Sequence, residues 1–197
     1  MFLQKGNLRH PWVRWGNFLS EDQIEDLAEL KNSYEPFYGK VFRGTELVEE
    51  EDNRKAKIFF VNRTDSTSPE WFFKYLEECI CSVNRDFFHF DLYPLDSFQY
   101  TQYFGEDKGF YNWHWDLFAN GDVQQAQRKL SIVIQLSDPE DYEGGELYLN
   151  TCGNVEQVPK EKGFACFFPS WTLHQVLPVK KGFRETIVVW VTGPDWR

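Results

Sequence analysis

Three residues that can bind a metal ion stand out in the second half of the sequence. His114 and Asp116 are two positions apart, so on an extended strand an imidazole and a carboxylate leave the same face and can chelate one ion. His174 follows sixty residues after His114, in an apolar stretch between Pro169 and Pro178. Two histidines and one carboxylate form the facial triad of Fe(II) oxygenases. The same ligand types suit zinc, so these three residues alone leave the metal undecided.

One arginine favours iron over zinc. Arg184 lies ten residues after His174, and the segment 177–183 between them carries a proline near one end and a glycine near the other. This turn predicts a hairpin that brings Arg184 near the metal without touching it. A guanidinium there suits the remote carboxylate of a five-carbon diacid chelated to the iron. Thr186 and Trp190 share the strand face of Arg184 by period-two counting, so we expect them in the same pocket wall.

Each of these residues also has a purely structural interpretation. Taken singly, Arg184 could be an ordinary strand residue and His174 a hydrogen-bonded core histidine. A metal site explains better why the residues occur together and in this order. Tyr111, Trp113 and Trp171 lie near the ligands in sequence, and for them both a place in the substrate-pocket wall and a place in the core remain open.

The elements that must position these side chains change in character along the chain. A capping box followed by an apolar stripe predicts a helix over residues 21–32, and a second amphipathic stripe predicts a helix over 69–84. A short strand is expected over 57–61. Short alternating runs then predict further strands at 98–104, 130–136, 146–149, 165–168, 172–176 and 185–191. The expected fold class is α+β, mainly β, with a sandwich or jelly roll and helices against one face.

Length and composition limit the organisation and the partners. We expect a single domain over residues 1–197, with 1–96 as mostly helical support and 97–197 as the β core. The net charge of -10 opposes binding to nucleic acid or to an anionic membrane. No apolar run approaches the roughly 18 residues of a membrane span, and the first residues do not resemble a signal peptide. The protein is therefore expected to be soluble and cytoplasmic, with its four cysteines reduced.

Several motifs occur together in the second half of the chain. They are, in order, Tyr103, Phe110-Tyr111-Asn112-Trp113-His114-Trp115-Asp116, the run from Leu130 to Asp138, Tyr142-Glu143-Gly144-Gly145-Glu146-Leu147, the run from Phe168 to His174, and Arg184. In type, order and near spacing these motifs resemble the prolyl 4-hydroxylase family of 2-oxoglutarate/Fe(II) dioxygenases, and its bacterial and phage-type members in particular. The resemblance covers about half the chain.

This resemblance implies a double-stranded β-helix and a defined set of cofactors. Fe(II) would be bound by His114, Asp116 and His174, with 2-oxoglutarate and O2 as co-substrates. Arg184 would form a salt bridge with the C5 carboxylate of 2-oxoglutarate, and Tyr103 would reach the co-substrate. Ascorbate binding is a further expectation from the resemblance.

The match to the family pattern departs at two positions. The spacing from Tyr103 to His114 is one residue longer than in the family. Gln135 stands where many members have a tyrosine that helps to bind the C5 carboxylate, and its amide can still donate a hydrogen bond. Trp190 follows the pattern, since it matches a pocket tryptophan six residues after the arginine.

Three functions are consistent with the sequence. The first is hydroxylation of a prolyl or other residue in a peptide or protein, which the resemblance favours. The second is hydroxylation of a free amino acid or small metabolite, and the third is a cupin-like module that binds a metal or ligand without turnover. The intact triad and Arg184 argue against the third. Substrate identity is expected to depend on the loops at 106–109 and 117–127, and the oligomeric state is not predicted.

Overall fold

The computed structural model describes residues 11–39, 41–43, 46–48, 52–117 and 126–196. The α-helices in these ranges are α1 (Glu21–Ala28) and α2 (Glu70–Val83). The strands are β1 (Val13–Trp15), β2 (Phe37–Tyr38), β3 (Val41–Arg43), β4 (Glu46–Val48), β5 (Arg54–Lys55), β6 (Lys57–Asn62), β7 (Ser97–Phe104), β8 (Phe110–His114), β9 (Gln127–Gln135), β10 (Tyr142–Gly144), β11 (Leu147–Thr151), β12 (Asn154–Gln157), β13 (Ala165–Pro169), β14 (Leu173–Val176) and β15 (Val179–Gly193).

Most of the strands form two antiparallel sheets. The larger sheet has the order β1-β13-β9-β15-β7-β6-β2, with β10 paired to β15, and the smaller sheet has the order β12-β11-β14-β8-β5. Strands β3 and β4 form a separate hairpin. Side chains from both sheets pack into one apolar cluster, which places the sheets face to face. The predicted α+β, mainly β, jelly-roll fold is confirmed.

Both predicted helices are present and begin as the sequence indicates. The hydroxyl of Ser20 accepts a hydrogen bond from the backbone N–H of Gln23, whose side chain accepts one from the backbone N–H of Ser20, so the capping box is complete. Helix α1 continues as a 3-10 turn over Glu29–Asn32. Helix α2 begins after Pro69, which is its N-cap, and ends in a π-helical turn over Asn84–Phe88.

The helices cover the outer face of the larger sheet through an aromatic-rich core. Phe72 and Phe73 of α2 are fully buried, and both rings contact Phe98 of β7. Phe59 of β6 stacks on Tyr100 of β7 with a centroid distance of 4.8 Å. Through these aromatic contacts the helices pack against the outer face of β7, the strand that carries Tyr103. They therefore support the opposite, inner face of the larger sheet indirectly.

The connection between β14 and β15 differs from the predicted hairpin. Strand β14 pairs with β11 and β8 in the smaller sheet, whereas β15 pairs with β7 and β9 in the larger one. The short link after Val176 therefore crosses from one sheet to the other. The prediction was wrong because turn residues show where a chain reverses but not which strand it pairs with afterwards. Arg184 and His174 still line the same cavity because the two sheets face each other.

The first 96 residues contribute more strand than predicted. Strands β1 to β6 lie in this part, so the described portion is not simply helical support. Strand β6 pairs with β7 in the larger sheet, and β5 pairs with β8 in the smaller one. These additions extend both sheets and cover strand edges that would otherwise expose unpaired backbone groups. No helix in the described ranges is long and apolar enough to cross a membrane.

The aromatic contact between α2 and β7 should carry much of the stability. We expect Phe72→Ala to lower the free energy of unfolding by about 3–5 kcal/mol, because it leaves a cavity in a fully buried site. Urea denaturation followed by circular dichroism measures this loss. Phe37→Ala is the control, since Phe37 is 47% exposed and its removal should cost about 1 kcal/mol or less. Equal losses in the two variants would contradict the described packing.

Candidate active site

A cavity lies between the two sheets, and most of the predicted site residues line it. The cavity and the open space at its mouth together measure about 390 Å³. Both sheets contribute to its wall, and the residues that line it are Arg54, Gln99, Tyr103, Tyr111, His114, Asp116, Val133, Leu147, His174, Val176, Arg184, Thr186, Val188 and Trp190.

The two histidines face each other across adjacent strands of the smaller sheet. His114 of β8 is the cross-strand partner of His174 of β14, and their ring centroids are 4.0 Å apart. Each Nδ1 lies within hydrogen-bond distance of a backbone carbonyl two residues earlier, at 2.7 Å from Asn112 and 2.8 Å from Thr172. When Nδ1–H donates these bonds, each Nε2 presents its lone pair to the cavity.

Asp116 completes the group just beyond the end of β8. Its Oδ1 lies 3.8 Å from Nε2 of His114, and its Oδ2 lies 3.6 Å from Nε2 of His174. Burial raises the pKa of this carboxyl, but the neighbouring histidines, Arg128 and a hydrogen bond from Ser131 together lower it, and the net shift is downward. Burial and the proximity of His174 lower the pKa of His114 well below its usual range. The site therefore favours a carboxylate beside a neutral imidazole.

A bulge in β8 gives the cavity an additional aromatic wall. On the partner strand β14, His174 and Val176 are two residues apart, whereas their partners His114 and Tyr111 are three residues apart. Both Tyr111 and His114 therefore face the cavity, and their rings stack with centroids 3.4 Å apart. The bulge lies within the interval between Tyr103 and His114, where the sequence has one residue more than the family pattern.

Arg184 is buried in the same cavity without sufficient hydrogen-bond partners. It is 1% exposed, and its Nε and Nη2 atoms have no hydrogen-bond partner among the described residues. Its guanidinium carbon lies 5.4 Å from the centroid of the Tyr103 ring. A buried guanidinium with unsatisfied N–H groups is costly for the fold, so its presence indicates a site for an anion.

The neighbours of Arg184 on β15 are placed as the period-two count predicted. Thr186 and Trp190 line the cavity together with Arg184, which confirms that the three share one face. The Trp190 indole N–H lacks a hydrogen-bond partner within the described part of the chain. Tyr103 lines the cavity from β7, and burial raises the pKa of its phenol, which therefore stays protonated and can donate. Their roles toward a co-substrate remain predictions.

Three other predicted residues do not line the cavity. Gln135 is buried near the end of β9 opposite Thr186, but it is not part of the cavity wall. Trp113 and Trp171 are 39% and 47% exposed, so they belong neither to the cavity wall nor to the core. The Trp171 ring packs against Trp196 at a centroid distance of 4.7 Å. Of the predicted substrate loop at 117–127, positions 118–125 lie outside the described residues.

The structure brings to the site several residues that were not predicted from the sequence. Arg54 of β5 lines the cavity with its guanidinium carbon 4.7 Å from the Tyr111 ring centroid, and nothing in the irregular first half of the sequence indicated this. Ser131 and Ser170 contact Asp116 directly and were also not singled out. For Ser131 a signal existed, because it is four residues before the predicted site residue Gln135 on the same strand and therefore shares its face.

The described residues fit a divalent ion and a dicarboxylate. The ligand atoms of His114, Asp116 and His174 lie within 4.8 Å of one another, close enough for one ion to contact all three. Two imidazoles and one carboxylate match the ligand preferences of Fe(II) and leave coordination positions for a co-substrate. The unsatisfied N–H groups of Arg184 match a carboxylate farther along the same cavity.

Comparison with known sequences supports the same interpretation. A family model for the 2OG-Fe(II) oxygenase superfamily matches residues 98–192. A PKHD-type hydroxylase from Aliarcobacter butzleri is 26% identical over 178 residues, which cover 88% of this chain and 74% of the relative. One from Acidovorax ebreus is 36% identical over 88 residues, which cover 43% of this chain and 39% of the relative. The match to the Acidovorax protein thus spans less than half of its length.

Comparison with solved structures supports the fold. A Pseudomonas putida prolyl-4-hydroxylase aligns with a TM-score of 0.73 at 20% identity, covering 94% of both chains. A viral collagen prolyl hydroxylase from Paramecium Bursaria Chlorella virus-1, solved with 2OG, gives a TM-score of 0.69 at 20% identity, covering 93% of this chain and 97% of that one. The motifs, the metal-ligand geometry and the family match, which spans just under half of the chain, together make this chain similar to the 2OG-Fe(II) oxygenase superfamily.

Proposed function

We propose that this protein is a 2-oxoglutarate- and Fe(II)-dependent dioxygenase that hydroxylates an unactivated C–H of a prolyl or other residue in a peptide or protein. The single observation that carries the proposal is the convergence of four side chains in one cavity. His114, Asp116 and His174 form a facial metal-ligand set, and Arg184 lies buried in the same cavity with unsatisfied donors. A zinc hydrolase has no need for the buried guanidinium. A diacid that chelates the metal at one end needs both the metal ligands and a cation for its remote carboxylate.

The protein side chains divide the work between binding and positioning. His114, Asp116 and His174 would hold Fe(II), and Arg184 would form a charge-assisted hydrogen bond with the C5 carboxylate of 2-oxoglutarate. When bound, iron and 2-oxoglutarate supply the oxidising power that inserts one atom of O2 into a C–H bond, with succinate and carbon dioxide as co-products. Val133, Leu147, Val176 and Val188 also line the cavity and limit the water around the reacting groups. None of these four apolar side chains can act as a general acid or base.

A similar enzyme that binds a peptide supports a peptidyl substrate. Two of the relatives are PKHD-type hydroxylases, and a Trichoplax adhaerens prolyl hydroxylase was solved in complex with a hypoxia inducible factor peptide fragment. That enzyme aligns with a TM-score of 0.72 at 20% identity, covering 92% of this chain and 83% of that one. Ascorbate binding stays a prediction, which a comparison of turnover with and without ascorbate would test.

A mass-spectrometric screen tests the reaction and the substrate class. We expect a one-oxygen mass gain on proline-containing peptides, dependent on Fe(II), 2-oxoglutarate and O2, with little gain on free proline or free lysine. Succinate is measured in the same samples. A gain on the free amino acids alone would favour a small-molecule hydroxylase. No succinate under any of these conditions would contradict the enzyme proposal and leave a non-catalytic binding module.

His174→Ala should abolish succinate formation, because it removes one of the three metal ligands. We expect metal affinity to fall by about 100-fold or more, measured by titration with Mn²⁺. His89→Asn is the control: His89 is exposed, and asparagine tolerates its left-handed backbone with φ of 56°. Undiminished metal binding by the His174 variant would contradict the assignment of this ligand.

Arg184→Met should separate folding stability from co-substrate binding. Methionine removes a buried charge without leaving a large cavity, so the metal- and ligand-free variant should unfold at a temperature equal to or above that of the wild type. Affinity for 2-oxoglutarate should weaken by about 2–4 kcal/mol, or roughly 30- to 700-fold, measured by calorimetry with Mn²⁺ present.

Lys180→Met is the matched control for this substitution, because Lys180 is exposed on the same strand. It removes the same charge and should leave 2-oxoglutarate affinity unchanged. Similar affinities in the Arg184 and Lys180 variants would show that Arg184 does not bind the diacid.

A further inference from the structure

The three metal ligands are held in different ways. His114 and His174 lie on paired strands, and backbone carbonyls hold their rings. Asp116 lies beyond the end of β8, and its backbone N–H donates a 2.9 Å hydrogen bond to the carbonyl of Ser170. The strand pairing that fixes the histidines therefore does not fix the Asp116 carboxylate. Its orientation must come from side-chain contacts.

Two buried serine hydroxyls provide such contacts. Ser131 Oγ donates a 2.7 Å hydrogen bond to Asp116 Oδ2, and Ser170 Oγ lies 2.9 Å from Ser131 Oγ. Both serines are 0% exposed. An ionised carboxylate can only accept, so the single hydroxyl proton of Ser131 goes to Asp116. Ser170 must then be the donor to Ser131, and the pair forms a chain in one direction, from Ser170 through Ser131 to Asp116.

The backbone that carries these two serines is held rigidly by the larger sheet. Ser131 lies on β9, which is hydrogen-bonded on one side to β13 and on the other to β15, with Phe168 and Trp190 as its cross-strand partners. Ser170 directly follows β13, and its backbone N–H donates to the carbonyl of Lys129 on β9. The hydroxyls are therefore fixed to the larger sheet, whereas both histidines belong to the smaller sheet. Through its hydrogen bond to the Asp116 carboxylate, the larger sheet therefore contacts the proposed metal ligands.

From this geometry we infer that Ser131, supported by Ser170, is a positioning residue that fixes the orientation in which the Asp116 carboxylate binds the metal. The hydrogen bond from Ser131 engages Oδ2 and fixes the rotation of the carboxylate. A carboxylate free to bind through both oxygens would occupy one more coordination position, which a chelating co-substrate needs. This inference rests on the metal site of the proposed function, and it adds a residue whose side chain touches neither metal nor substrate.

Metal titration of the purified protein without 2-oxoglutarate tests the inference. The probe is Mn²⁺, and free ion is quantified by electron paramagnetic resonance, so the readout does not depend on turnover. We expect the Mn²⁺ dissociation constant to rise about tenfold or more in Ser131→Ala and by a smaller factor in Ser170→Ala, as for other residues that orient metal ligands. Ser131→Thr retains the hydroxyl and should keep more affinity than Ser131→Ala.

Ser97→Ala is the matched control. Ser97 also donates a side-chain hydrogen bond to an aspartate, at 3.2 Å from Asp96, but it is not part of the cavity wall. This variant should bind Mn²⁺ like the wild type. Circular dichroism of the metal-free proteins verifies folding, and if Ser131→Ala does not fold, the Ser170→Ala and Ser131→Thr variants decide.

The outcomes separate this inference from the proposed function. Wild-type protein that binds no Mn²⁺ would overturn both. Wild-type binding together with a Ser131→Ala dissociation constant within twofold of the wild-type value would overturn the positioning role alone. A tenfold weakening in Ser131→Ala with no change in Ser97→Ala would support it. Equal weakening in both would assign the loss to general destabilisation and overturn it.

Discussion

The cross-strand pairing of His114 with His174 is the contact on which the site depends. The two residues are sixty positions apart, and the antiparallel register of β8 and β14 brings their rings to a centroid distance of 4.0 Å. Successive side chains of a strand point to opposite faces, so a shift of one residue in this register would turn one imidazole away from the cavity. The bulge in β8 is part of this arrangement, since it keeps Tyr111 and His114 on the same side.

The cavity also contains a charge that the fold does not neutralise with protein hydrogen bonds. Arg184 is almost completely buried, and its Nε and Nη2 atoms have no protein partner in the part of the chain that the structure describes. Such a group lowers the stability of the empty protein and raises the affinity for a complementary anion. The aromatic core behind the larger sheet offsets this cost, because residues such as Phe72 and Phe98 bury large apolar surfaces on the opposite face. The outer face of the larger sheet thus contributes stability, and its inner face contributes the group for anion binding.

The two sheets make different contributions to the proposed metal site. The smaller sheet supplies both histidines, and the larger sheet supplies Arg184 and the serines that contact Asp116. The separation between the metal ligands and the guanidinium is therefore set by the packing of one sheet on the other. A cavity built in this way fixes the distance between the two ends of a bound diacid, which is a basis for selecting its chain length.

The sequence by itself determined the candidate residues for the chemistry and the kinds of elements that hold them. His114, Asp116, His174 and Arg184 were identifiable because metal chelation and carboxylate binding require specific donor groups at recognisable spacings. The two helices and the main strands followed from local signals such as capping and periodicity.

The tertiary structure alone decided which strands pair and which side chains meet. The predicted hairpin was wrong, because residues 177–178 lead from one sheet to the other and the local turn signal is the same in both cases. Arg54, Ser131 and Ser170 reach the site through contacts distant in sequence, and Trp113 and Trp171, although close to the ligands in sequence, point to the surface. Local sequence fixes the alternation of side chains along a strand, but the partner across the sheet and the face that becomes buried depend on the whole chain packing together.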